Sequence, residues 1–414
     1  MAERVSMWPD WPQVSRQTES MTMEALRSGR WAISELSNGR QSFVRRAESA
    51  FAHMVGSRFA VMTTSGTSAI TIALESLSIE HGSEVLVPGL TWIACASAVL
   101  NAGLRPVLVD VEAETMCMSV DAAAAATTPR TAAVLLVHYM NNHAATDAFV
   151  NFCSERNLAL IEDCAQAHGA VERGKHVGLR GDVGVFSFQA SKVLTCGEGG
   201  ALVTNDRTLA RRAEQYRADG RAFPAADPAA GESDLVEVGE VLGRNMCMSE
   251  ITAAVLLGAI SEFPQLQVKR AAGAARLDES LVGLASASPT PAAEGTDIRS
   301  FYRYTVHIDP EIAAALPVRE MATQLKKLTG VPVELLHEPL NASRMYRPDK
   351  QSRYKWAGLF SGYELDPSGY ELPVATALFD TVLTFPHQVL LAKSESLDRL
   401  AECIGQMTGQ KPHA

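Results

Sequence analysis

Several features that would assign this chain to a functional class are missing. Its seven cysteines (Cys95, Cys117, Cys153, Cys164, Cys196, Cys247 and Cys403) are odd in number, scattered, and never paired as Cys-x-x-Cys. That argues against a disulfide framework or a zinc site and suits a reducing cytoplasm. There is no block of lysine and arginine, and the net charge is −10, so no nucleic-acid surface is expected. No apolar run approaches the roughly 20 residues of a membrane span. The opening Met1-to-Pro9 stretch lacks the apolar centre of a secretion signal. What remains is a chain of 414 residues, 47% apolar and 20% charged, of the size and composition of a globular enzyme with two or three domains. The expected location is the cytoplasm, with no membrane or nucleic-acid partner.

Three stretches are visible. Residues 1–45 form an arm punctuated by Trp8-Pro9 and Trp11-Pro12, with a short helix near Thr22 to Ser28, and it is expected to pack with the C-terminal domain. Residues 46–265 alternate short apolar runs with helical patterns. Phe59–Met62, Glu84–Val87, Arg105–Asp110, Ala133–Val137, Leu158–Ile161, Val183–Phe188 and Gly200–Thr204 read as buried strands. Such runs between helices predict an α/β fold, a mostly parallel sheet flanked by helices. Residues 266–414 form a smaller C-terminal domain. It has a strand at Tyr304–Ile308, a loop at Ala285–Gly295 and an amphipathic helix at Ser394–Met407.

The chemistry centres on Lys192, in Ser187-Phe-Gln-Ala-Ser-Lys192-Val-Leu-Thr-Cys-Gly-Glu-Gly-Gly200. Upstream, the run Ile161-Glu162-Asp163-Cys164-Ala165-Gln166 ends a strand in an acid. A lysine and a carboxylate, each at a strand end, are what pyridoxal phosphate requires. The amine condenses with the aldehyde as a Schiff base, and the acid keeps the pyridine nitrogen protonated. A phosphate needs free N–H groups at a helix start, and Ser65-Gly66-Thr67 follows the strand Phe59–Met62 and opens a helix. On its own that cluster is an ordinary helix cap. Ser187 is a further phosphate candidate. Trp92, just after Glu84–Val87, offers a flat face for stacking on the ring, and Gln166 a donor for its phenolic oxygen.

The ordered set Ser-Gly-Thr, Thr91-Trp92, Glu-Asp-Cys-Ala-Gln-Ala-His-Gly, Phe-Ser-Phe-Gln-x-x-Lys, Glu-Gly-Gly and Gly-Arg-Asn resembles the DegT/StrS sugar aminotransferases, from about residue 8 to 400. These are fold-type I pyridoxal phosphate enzymes. The resemblance implies Gly66, Thr67 and Ser187 for phosphate, Trp92 for stacking and Asp163 for the ring nitrogen. It also implies Gln166 for the ring hydroxyl and Lys192 for the Schiff base. Asn245 resembles the asparagine that reaches the phosphate of the neighbouring subunit, which implies a homodimer with shared sites. Trp8–Pro12 and Ser28–Ser34 look most like the branch that aminates keto-cyclitols such as scyllo-inosose and 2-deoxy-scyllo-inosose, in antibiotic biosynthesis. The family's Asn-Tyr-Arg reads Asn245-Met246-Cys247 here, so that arginine's role does not transfer.

The expected reaction moves an amino group from L-glutamine or L-glutamate to a cyclic ketone. His138, Asn141, Asn142, His143, Arg303 and His337 are the candidate polar contacts for substrate. Two other readings stay open: a pyridoxal phosphate-dependent dehydratase of the amino-hydroxybenzoate synthase type, and a non-catalytic regulatory relative. A sugar dehydratase is disfavoured, because those relatives replace the lysine with histidine. No metal is expected.

Overall fold

The computed structural model describes residues 7–354, 363 and 365–409. Residues 1–6 of the expected arm, and 355–362, 364 and 410–414 of the expected C-terminal domain, lie outside the described residues.

Seven strands build the central sheet: β1 (Phe59–Thr63), β2 (Glu84–Pro88), β3 (Arg105–Val109), β4 (Thr131–Val137), β5 (Ala159–Asp163), and the strands Val183–Ser187 and Gly200–Thr204. β3, β2, β4, β5 and Val183–Ser187 lie side by side in parallel. Gly200–Thr204 runs antiparallel between Val183–Ser187 and β1. β1 therefore points the same way as the parallel set, and its C-terminal end meets theirs at one edge. Each strand expected from an apolar run is present. The strands are almost wholly buried, as a sheet covered on both faces demands.

The first helix, α1 (Arg16–Ser28), begins earlier than its spacing suggested, because the Ser15 side chain caps the Thr18 amide and Gly29 closes the helix at φ 70. It packs, as α2 (Phe43–Val55) does, against a long helix, Glu250–Leu281. This helix crosses the expected boundary at 265–266. Ala253, Leu256 and Phe263 enter the core around the central sheet, whereas Ala274, Leu277 and Leu281 enter a second core. Pro264 removes one intrahelical hydrogen bond near that change without ending the helix. By length and composition the helix is apolar enough to span a bilayer, and 28% of that apolar window is buried in the protein.

The second core lies on a four-stranded antiparallel sheet in the order Ala287–Pro289, Arg303–Ile308, Val382–Pro386, Glu334–Leu335. The first of these falls inside the stretch expected to be a loop. The arm joins both cores rather than the smaller domain alone. Trp8 is buried in the second core and donates from Nε1 to the Thr329 carbonyl (3.0 Å), while Ala25 and Ile33 are buried in the first. All seven cysteines are free thiols.

Candidate active site

The shared direction of the strands brings their ends together. β1 leads to Ser65–Thr67 and β2 leads to Thr91 and Trp92. β5 ends at Asp163, and Val183–Ser187 ends at Ser187, just before the turn that holds Lys192. These residues line one cavity of about 500 Å³, at the sheet edge where α/β folds bind ligands. A cleft of similar volume, about 540 Å³, beside Arg27, Arg40 and Arg46 is also lined by Glu24, Glu250 and Phe43 but offers no lysine to hold an aldehyde.

Asp163 is buried, and both its oxygens are held. Oδ1 accepts from the Ala165 amide (2.9 Å) and Oδ2 from the Cys95 thiol (3.2 Å). Burial raises its carboxyl above the ordinary value, against the pull of those donors and of Lys192. Burial likewise pushes the Lys192 amine below its ordinary value, with Tyr302 and Asp163 opposing. The Lys192 Nζ stands 4.1 Å from the centroid of the Tyr302 ring.

The anion cradle is a feature of close packing. The helix α3 (Gly66–Ser76) starts at Ser65, whose hydroxyl caps the Ser68 amide. The Gly66 and Thr67 amides have no intrahelical acceptor and are free for an outside anion. A Cβ on Gly66 would stand 2.8 Å from the Ser187 Cβ. Beneath the turn, Gly200 pairs with both Thr63 and Ser187, and a Cβ there would stand 2.3 Å from the Ser65 carbonyl carbon and oxygen. Only glycine lets the helix start descend onto the strand.

The remaining wall is mixed. Trp92 is 46% exposed, which is unusual for a core tryptophan, and its ring centroid lies 5.4 Å from that of His337. Gln166 Oε1 accepts from the Met140 amide (2.8 Å), so its NH₂ end is the available donor. His337 Nδ1 bonds the Tyr139 hydroxyl (3.0 Å), and burial holds its pKa at about 3, so its ring is neutral. Arg303 pairs with Glu334 (2.7 Å) on the wall contributed by the four-stranded sheet. The cavity therefore supplies an amine, a fixed acid, a helix start with free amides and an aromatic ring. This donor set fits pyridoxal phosphate.

Four expected substrate contacts fall elsewhere. His138 is fully buried. Its Nε2 bonds Glu162 (3.0 Å) and its Nδ1 accepts the Ala144 amide (3.1 Å), so neither nitrogen is available to a ligand. The same Glu162 also accepts the amides of Gly178, Arg180 and Gly181, which makes it a structural staple. Asn141 is buried, with its Oδ1 accepting from the Thr305 hydroxyl (2.9 Å). Asn142 and His143 are likewise occupied by Pro291 and Ala293, and by Ala144 and Thr296. Arg303 and His337 do line the cavity. Tyr302, Glu334 and Cys95 also line it and were not expected. An aromatic beside Arg303 was the available signal for Tyr302; nothing local marked the other two.

Asn245 is exposed and outside this chain's own cavity. Its segment runs along the end of β1, with Thr64 donating to the Met246 carbonyl (3.0 Å), next to the cradle. Cys247 points at the Arg217 carbonyl (3.3 Å).

Residues 16–404 match the DegT/DnrJ/EryC1/StrS aminotransferase family. The chain is 42% identical to the L-glutamine:scyllo-inosose aminotransferase of Streptomyces griseus over 394 residues, covering 95% of this chain and 92% of that one. It is 41% identical to the L-glutamine:2-deoxy-scyllo-inosose aminotransferase of Micromonospora echinospora, covering 95% and 93%. Among solved structures, 3-amino-5-hydroxybenzoic acid synthase superposes with a TM-score of 0.81 at 27% identity, covering 97% of this chain and 98% of that one. With the match spanning almost the whole chain and the cavity built as described, the protein belongs to the DegT/DnrJ/EryC1/StrS family of pyridoxal phosphate-dependent aminotransferases.

Proposed function

We propose that the protein transfers the amino group of L-glutamine to a keto-cyclitol of the inosose type, as a cytoplasmic homodimer, in the making of an aminocyclitol. The observation that carries this reading is the 42% identity, over 95% of the chain, to a protein named for that reaction. The convergence of Lys192 and Asp163 in one cavity supports it.

Gly66, Thr67, Ser65 and Ser187 would hold the phosphate, and Trp92 would stack on the ring. Asp163 pairs with the ring nitrogen and Gln166 donates to the ring hydroxyl. Bound there, pyridoxal phosphate supplies an aldehyde that captures amines and a ring that accepts electrons. Lys192 anchors it. As a free amine, Lys192 would take the proton from the donor α-carbon, a task that its lowered pKa favours. Asn245 reaches the phosphate of the partner subunit. Arg303 and His337 face the substrate.

The test is a panel of acceptors (scyllo-inosose, 2-deoxy-scyllo-inosose, a nucleotide-linked keto-sugar and pyruvate) with L-glutamine as donor. The cyclitols are expected to be aminated fastest, because ketones without ring hydroxyls leave buried donors unpaired at about 1–3 kcal/mol each. If pyruvate outruns every cyclic ketone, the cyclitol assignment fails. The amino-hydroxybenzoate synthase alternative draws support from the TM-score of 0.81, but at 27% identity.

A further inference from the structure

The cavity must receive two substrates of unlike charge in turn, if the aminotransferase reading on which this inference rests is right. The donor carries an α-carboxylate, whereas the cyclic ketone carries no charge. Among the described residues lining the cavity, the cationic side chains are Lys192 and Arg303, since His337 is neutral. Arg303 begins the strand Arg303–Ile308, opposite Pro386, and Glu334 lies opposite Thr384 across the same central strand. The two thus reach past Val382–Pro386 to meet at 2.7 Å. Their settings differ. The Arg303 side chain is 9% exposed, whereas that of Glu334 is 54% exposed, at the mouth. Tyr302 stands between the cations, its ring centroid 4.8 Å from the Arg303 guanidinium carbon and 4.1 Å from Lys192 Nζ.

We infer that Arg303 binds the α-carboxylate of the amino donor, and that Glu334 releases it to the donor and takes it back when the neutral ketone occupies the cavity. A permanently unpaired arginine would suit the donor but leave a buried charge facing the ketone. A permanently paired one would do the reverse. An acid at the mouth resolves the conflict, because an ion pair with one solvated partner costs little to open. The guanidinium fork matches a carboxylate with two parallel hydrogen bonds, which an ammonium does not reproduce.

In a two-stage exchange, kcat/KM for each substrate reports its own half of the reaction. Arg303→Gln should lower kcat/KM for L-glutamine at least about tenfold more than for scyllo-inosose, the loss of one charge-assisted contact. Arg303→Lys should fall between wild type and Arg303→Gln. Glu334→Gln should shift the ratio the other way, by weakening the ketone arm. Calorimetric titration of the cofactor-loaded enzyme with glutaramate, the glutamine skeleton without its amine, gives a readout independent of turnover. Its Kd should rise at least about tenfold in Arg303→Gln and should not rise in Glu334→Gln. Variants are compared only where melting temperatures match wild type, and Arg303→Lys serves if Arg303→Gln does not fold. Unchanged glutaramate binding, or equal losses in both arms, overturns the inference. Wild-type enzyme that moves no nitrogen from glutamine to a cyclic ketone overturns the proposed function instead, and glutaramate binding still decides the role of Arg303.

Discussion

At the scale of the residue, the site depends on two groups whose charge is set by burial and whose orientation is set by hydrogen bonds. Asp163 cannot rotate, because the Ala165 amide and the Cys95 thiol hold one oxygen each. Lys192 is anchored next to Tyr302, whose phenol is raised by burial but drawn below its ordinary value by Lys192 and Arg303. Lys192→Ala should abolish turnover without unfolding the chain and should remove the visible-edge absorbance of the bound cofactor. Normal transamination by this variant would sink the anchor assignment. Asp163→Asn should retain part of the cofactor affinity and lose about 10²–10³ in rate, because an amide cannot keep a ring nitrogen protonated. Wild-type turnover in that variant would show that another group partners the ring.

At the scale of the element, the helix start of α3 and the reversed strand beneath it form one unit. A Cβ on Gly200 would meet backbone atoms of Ser65 at 2.3 Å and the Gly66 nitrogen at 2.6 Å, and backbone cannot step aside as a side chain can. Gly200→Ala should therefore cost about 1–3 kcal/mol of stability. It should also weaken cofactor binding, read by fluorescence titration of the cofactor-free protein. Unaltered affinity would mean that the cradle does not hold the phosphate. The loop after β5 has a pH consequence. Burial holds the His168 imidazole, which packs on Phe186 and Phe188, at a pKa of about 3. Between its unfolded value near 6.5 and that value, the unfolded chain binds the extra proton, so stability falls as pH falls. His168→Phe should remove on the order of 1–2 kcal/mol of the loss between pH 7 and 5, read from urea midpoints. An unchanged acid slope would exclude His168 as its source.

At the scale of the whole molecule, the single chain leaves Asn245 exposed beside its own cradle, and Leu242, three residues away, is 95% exposed. A lone exposed leucine does not by itself mark an interface, so the proposed dimer is tested through Asn245. Mixing inactive Lys192→Ala chains with inactive Asn245→Ala chains should restore part of the activity, because one of the two hybrid sites carries neither lesion. Verified mixed dimers without activity would put both residues in one chain's site.

Much of this was legible in the sequence, because it is local. Lys192, Asp163, Trp92 and the Ser65–Thr67 turn each sit where an apolar run stops. Parallel strands that stop at one edge must bring their trailing residues together, so strand order alone forecasts a cavity. The strands themselves were legible for the same reason: residues buried on both faces read as unbroken apolar runs. The path of the chain beyond a strand end is less determined. His138 and Asn141 also come just after a strand, yet their side chains are taken up by Glu162 of the central sheet and Thr305 of the second sheet. Their neighbours in sequence do not encode those partners. The wall of Tyr302, Arg303 and Glu334 comes from a separate sheet, far along the chain, whose strands are short and whose position depends on a helix shared by two cores. The periodicity of a few residues records which face of an element is buried, not what that face is buried against. Only the packing of the second core against the first decided that Arg303 and Glu334 line the cavity.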